Sequence, residues 1–123
     1  MGLFNGPNSD HTIWNYAAAA SGIVNTTTAV TIKTAAGAGF RNYITNIQVS
    51  HAALGAATEL AIRDGAGGTV LWRMTLATTA NENISINFRT PIQGSVNTLL
   101  EVVTLTATVT GGVYANAQGY VGQ

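Results

Sequence analysis

Apolar and polar residues alternate through NISINFR, residues 83–89, where Ile84, Ile86 and Phe88 share one face and Asn87 and Arg89 turn away. A period of two belongs to an extended strand with one buried face; a helix would space its apolar residues by three and four. The same alternation recurs along the chain. NYITNIQVSH (42–51) is read with Tyr43, Ile47 and Val49 on one face and Asn46, Gln48 and Ser50 on the other. TELAIRD (58–64) sets Leu60 and Ile62 against Glu59 and Arg63, and TVLWRMTL (69–76) aligns Val70, Trp72, Met74 and Leu76 with Arg73 outward. TAVTIKT (28–34) aligns Val30 and Ile32. VYANAQGY (113–120) puts Tyr114, Asn116, Gln118 and Tyr120 on one face and small residues on the other. IWNYAAAA (13–20) and TLLEVVTL (98–105) complete a set of about eight short strands. The alanines of Tyr16–Ala20 favour helix by propensity, but the run is too short to form one unaided, so it is read as strand.

Short strands at this spacing, broken by Gly, Asn, Thr and Ala, predict an all-β fold, a jelly-roll-like antiparallel β-sandwich. No composition shift marks a linker, and one domain over residues 1–123 is expected. Residues 1–12 lack alternation and carry Gly2, Gly6 and Pro7, so they read as an extended N-terminal arm. The arm nevertheless holds Leu3 and Phe4 side by side, two apolar side chains suited either to a groove on the capsid or an adjacent protomer, with Asp10 and His11 at the rim, or to folding back as a cap on an open end of the arm's own sandwich.

Glycine-rich AIRDGAGGTVLWR (61–73) raises the question of a phosphate cradle. Such a cradle needs a lysine followed by Ser or Thr and then a helix N-terminus, and neither follows. Asp-Gly between two alternating runs instead predicts a hairpin turn. AAGAGF (35–40) reads likewise as a connection. No nucleotide or other cofactor is expected.

Charge narrows the field further. Only 8% of residues are Asp, Glu, Lys or Arg, against about 25% in ordinary domains. Five Lys and Arg cannot supply the basic stripe that a nucleic-acid binder needs. No apolar run reaches the ~20 residues of a bilayer-spanning helix, and MGLFNGPNSDH lacks the basic and apolar regions of a signal peptide, so neither membrane nor export by that route is expected. With 46% hydrophobic residues and a net charge of zero, the surface is suited to burial against other chains.

Candidate chemistry is sparse. Ser9, Asp10 and His11 are triad ingredients, but neighbours on an extended arm point apart, whereas triad members meet through the fold. His51 ends a strand on its apolar side and Glu59 opens the next, which allows a pair across a hairpin; a satisfied structural histidine is the favoured reading. Two histidines and scattered carboxylates give no metal-ligand spacing, and cysteine is absent. Trp14 and Tyr16 are candidates for stacking on sugars, set against close packing of that strand on a second sheet, which is preferred. The chain therefore reads as non-enzymatic.

The run AGAGFRNYITNIQVSHAALGAATELAIRDGAGGTVLWR, with ISINFRTPIQGSVNTLLEVVT and the closing VYANAQGY, resembles small head decoration or cement proteins of tailed bacteriophages. The resemblance covers about residues 12–121 and contains no catalytic signature. It implies a homotrimer on the outer surface of a capsid, in contact with the major capsid protein, with Leu3, Phe4, Asp10, His11 and Trp14 as candidate contacts to capsid or neighbouring protomer. The alternative is a receptor- or glycan-binding module of a phage fibre or head spike.

Overall fold

The computed structural model describes residues 12–123. Eight strands occupy Thr12–Tyr16 (β1), Val30–Lys33 (β2), Arg41–His51 (β3), Thr58–Asp64 (β4), Thr69–Leu76 (β5), Glu82–Gln93 (β6), Leu100–Thr104 (β7) and Val113–Gly122 (β8). They form two four-stranded sheets, β1-β8-β3-β6 (sheet A) and β2-β7-β4-β5 (sheet B), and every pairing is antiparallel.

The order has a simple generator. β1 pairs with β8, β2 with β7, β3 with β6 and β4 with β5, as in one long hairpin folded at the β4–β5 turn. Rolling that hairpin brings β3 onto β8 and β4 onto β7. The result is a jelly-roll β-sandwich. Only β4 and β5 are sequence neighbours within a sheet; every other connection crosses to the opposite sheet. The connections β1–β2, β3–β4, β5–β6 and β7–β8 therefore gather at one end, and β2–β3, β4–β5 and β6–β7 at the other.

The glycine-rich stretch is the tip of the long hairpin. Asp64 pairs with Thr69, and Gly65–Gly68 form the loop, closed by a Gly68 N–H to Gly65 carbonyl bond of 3.0 Å. Gly65 and Gly67 have φ of 90° and 65°, the region that L side chains avoid.

The core lies between the sheets. Ile44, Ile47, Val49, Ala115 and Ala117 come from sheet A, and Leu60, Ile62, Leu76, Leu100 and Val102 from sheet B. Strand β7 is buried on both faces, and on its outer side Glu101 is ion-paired with Arg63 of β4.

Four expectations are corrected. The strand at the alanine run stops at Tyr16: the Ala18 N–H turns to the Asn116 side chain, and Gly22 closes a turn onto the Ala19 carbonyl. In β3, Tyr43 does not share a face with Ile47 and Val49. A bulge at Thr45 shifts the register, so Ile44 joins the buried face and Tyr43 turns outward beside Tyr120. In β5, a bulge at Leu71 packs Leu71 against the core with Trp72 and Met74 and leaves Val70 paired with the outward Arg63. Thr12, expected in the arm, is the first residue of β1; Leu3, Phe4, Asp10 and His11 lie outside the described residues.

Candidate binding face on sheet A

The two outer faces differ in chemistry. Sheet B carries the ion pairs. Arg63 meets Glu101 at 2.5 Å through Nη2 and at 2.7 Å through Nε, and the same Glu101 oxygen accepts the Gly67 N–H at 3.0 Å. Arg73 reaches Glu59 at 3.2 Å in a more exposed pair.

Across the middle of sheet A the outward residues are uncharged. Ile13, Tyr120 and Tyr43 form one row across β1, β8 and β3. Asn15, Gln118, Asn46 and Asn87 form the next, and Asn116, Gln48 and Ser85 the one after. Alternation in each strand sends these side chains out while their neighbours fill the core.

The carboxamides hold one another. Gln118 Nε2 donates to Asn15 Oδ1 and to Gln48 Oε1, both at 2.9 Å, and Gln48 Nε2 donates back to Gln118 Oε1 at 2.8 Å. Asn46 Nδ2 donates to Asn87 Oδ1. The rings of Tyr43 and Tyr120 stack with centroids 4.7 Å apart at 13°, and the Tyr43 hydroxyl donates to the Gln123 carbonyl at 2.6 Å.

Beside these rows lies a recess of about 330 Å³ lined by Ile13, Trp14, Asn15, Thr45, Gln118 and Gly119. The Thr45 bulge shapes it: Thr45 Oγ1 donates to the Gln118 carbonyl at 3.2 Å. Trp14 is half-buried and packs with Tyr16 against the core, in keeping with the packing reading of both residues. The Trp14 indole crowds Gly119, whose Cβ position lies 2.6 Å from Trp14 Cζ2. Trp14 Nε1 is buried and has no hydrogen-bond partner among the described residues.

The expected candidates for chemistry separate. His51 and Glu59 do not pair, because β3 and β4 lie in different sheets. His51 meets Glu82 across the β3–β6 ladder, with Nε2 2.7 Å from Glu82 Oε1 and Nδ1 2.7 Å from the Ala52 carbonyl. Both ring nitrogens face oxygen acceptors, and the imidazole is fully buried, so neither nitrogen is open to a substrate. The hydrogen bond from His51, followed by that from the Ala77 N–H, lowers the Glu82 carboxyl below its ordinary 4.5; desolvation opposes the shift. The ladder thus makes His51 a satisfied structural histidine. Among the described residues, no three His, Asp or Glu side chains group as metal ligands. The amide rows escaped the sequence reading. Their signal was present in the Asn and Gln at outward positions of three alternating strands, but alternation does not say which strands adjoin.

No protein-family model matches the chain, and no curated protein does. Among solved structures, the tobacco streak virus coat protein aligns over 98% of this chain and 90% of its own, at 8% identity and a TM-score of 0.48. A structure of infectious bursal disease virus, Gt strain, aligns over 93% of this chain and 32% of its own, at 15% identity and a TM-score of 0.38. A Bacillus endospore appendage protein, of disulfide-linked pili, aligns over the full length of both chains at 11% identity and a TM-score of 0.38. These scores lie below 0.5, and the jelly-roll assignment rests on strand order and register.

Proposed function

We propose that the chain is a non-enzymatic structural protein of a virion: a decoration or cement subunit that assembles as a homotrimer on the outer surface of a phage head and binds the major capsid protein. The resemblance over residues 12–121 supports this, and the jelly roll is a fold that capsid subunits share with unrelated binding domains.

The observation that carries the reading is apolar exposure on a charge-poor chain. At the four-loop end, Val24, Leu105 and Val109 are 43, 40 and 65% exposed. The loops that present them are tied together: Ile23 exchanges backbone bonds with Val113, the Asn25 N–H reaches Thr108 Oγ1, and Thr104 Oγ1 reaches the Thr26 carbonyl. A pre-ordered apolar patch loses little entropy when a partner covers it. β1 begins at the opposite end, where Leu3, Phe4, Asp10 and His11 of the arm contact the lattice or a neighbouring protomer and Trp14 anchors the strand that carries them. Both ends are then used in assembly, and binding to the assembled lattice stabilises it by mass action.

Counting copies on purified particles by quantitative mass spectrometry tests the role. A decoration subunit is present in numbers comparable to the major capsid protein. A handful of copies per particle would make the chain a fibre or spike module instead. Deleting residues 2–9 tests the arm: the truncated protein keeps its melting temperature and loses head binding. A strongly lowered melting temperature with head binding retained would make the arm an internal cap.

A further inference from the structure

We propose that the recess on the outer face of sheet A is a binding site for a neutral saccharide of one or two rings. The recess is open to solvent and measures about 330 Å³.

Its walls have the chemistry of a sugar. A pyranose presents hydroxyls that both donate and accept, together with an apolar C–H face. Asn15 supplies donors at the rim: its Oδ1 is held by Gln118, and its Nδ2 hydrogens have no partner among the described residues. Thr45 supplies an acceptor, since its hydroxyl hydrogen is committed to the Gln118 carbonyl and its lone pairs are not. Ile13, 81% exposed, supplies the apolar wall, and Trp14 and Gly119 line the recess beside it while the Trp14 indole packs toward the core. The Gln118–Gln48 exchange fixes the amide row before a ligand arrives, which reduces the ordering cost of binding.

The ligand is neutral because, among the described residues, no charged group lines the recess. Of the charged residues in sheet A, Arg41 donates to the Gly94 carbonyl and Glu82 is engaged by His51. Arg89 lies on β6, the far edge strand from β1. A charged sugar would lose hydration here without gaining a partner. A saccharide is favoured over a protein partner because Ile13 is the one large hydrophobic of this face left mostly exposed, whereas the core of a protein interface buries several apolar anchors.

The test uses the isolated full-length chain, so it does not depend on the virion reading. Methyl glycosides of glucose, galactose, mannose and N-acetylglucosamine, with maltose and lactose, are titrated into ¹⁵N-labelled protein; glucuronate and glycerol serve as comparators. The side-chain NH₂ signals of Asn15, Gln48 and Gln118 are followed. At least one neutral sugar is expected to shift these signals saturably, while glucuronate and glycerol do not. Asn15→Ala and Thr45→Val weaken binding at least tenfold with the remaining backbone spectrum unchanged, and Asn83→Ala, elsewhere on the same face, binds as the parent. The proposal is overturned if no neutral sugar gives a saturable shift, if glucuronate or glycerol shifts the same signals equally, or if Asn15→Ala binds unchanged. Broadening of these amides with protein concentration alone would assign the face to a second copy of the chain and overturn it as well.

Discussion

Gly119 has no room for a methyl group. A Cβ there would lie 1.8 Å from the Tyr43 carbonyl oxygen and 2.6 Å from the Trp14 indole. The obstacle is backbone on one side and a packed ring on the other, so neither moves cheaply. Gly119→Ala is expected to cost about 3 kcal/mol or more, the upper range of overpacking, visible as a large loss of thermal or denaturant stability. A variant within about 0.5 kcal/mol of the parent would show that the bulge beside Thr45 is more pliable than its geometry implies. Glu82 gives a second prediction. Its carboxyl is lowered mainly by the hydrogen bond from His51. A carboxyl depressed in the folded state contributes stability above its unfolded value near 4.5, and that contribution is lost as pH falls through the folded value. Glu82→Gln should be less stable than the parent at neutral pH and should converge with it in acid. Melting curves taken from pH 7 to about pH 3 read this directly; parallel pH profiles for the two proteins would rule it out.

The β4–β5 hairpin shows what one element demands of its loop. A Cβ on Gly68 would sit 1.9 Å from the Asp64 carbonyl oxygen, whereas one on Gly65 meets only the Thr98 methyl at 3.2 Å but requires φ of 90°. Gly65→Ala should therefore cost about 1–2 kcal/mol of left-handed strain, and Gly68→Ala distinctly more, since it must open the turn itself. Equal denaturant midpoints for the two variants would refute that ranking. The turn was readable because Asp-Gly chemistry is local. So was β6, whose alternation runs unbroken through Ile84, Ile86 and Phe88. β3 and β5 were misread at one position each, Tyr43 and Val70. In both, one extra residue in a bulge reverses the faces beyond it, and an alternating pattern carries no mark of that insertion. The partner of His51 was missed for a related reason. Sequence neighbours β3 and β4 suggested Glu59, but the chain crosses between sheets at that connection and delivers Glu82 from a strand that begins thirty-one residues later. The Asn15–Gln118–Gln48 row was equally hidden, because it joins residues 103 and 70 positions apart.

At the scale of the whole molecule, charge and apolar exposure are sorted by location. Ion pairs cover sheet B, amides and tyrosines cover most of sheet A, and three of the exposed large hydrophobics, Val24, Leu105 and Val109, sit at the four-loop end, against Val96 at the other. A monomer of this composition has little charge to keep copies apart, with five basic and five acidic residues in 123. Closed threefold symmetry would bury the same apolar patch on every subunit and leave no open surface to propagate into a filament. We therefore expect the purified protein to be a homotrimer, with light scattering during size exclusion giving three times the 12.7 kDa chain mass. Val109 allows the interface to be located as well as counted. Its side chain is 65% exposed, so a carboxylate there costs the isolated fold little, yet it places a charge at the centre of the proposed contact. Val109→Asp should shift the population toward monomer at micromolar concentration while the monomer's far-ultraviolet spectrum stays that of the parent. Val96, exposed in the β6–β7 connection at the opposite end, is the control, and Val96→Asp should remain trimeric. A parent protein that is monomeric throughout the micromolar range would discard the trimer. A trimer unaffected by Val109→Asp would keep the assembly and move its interface away from the four-loop end.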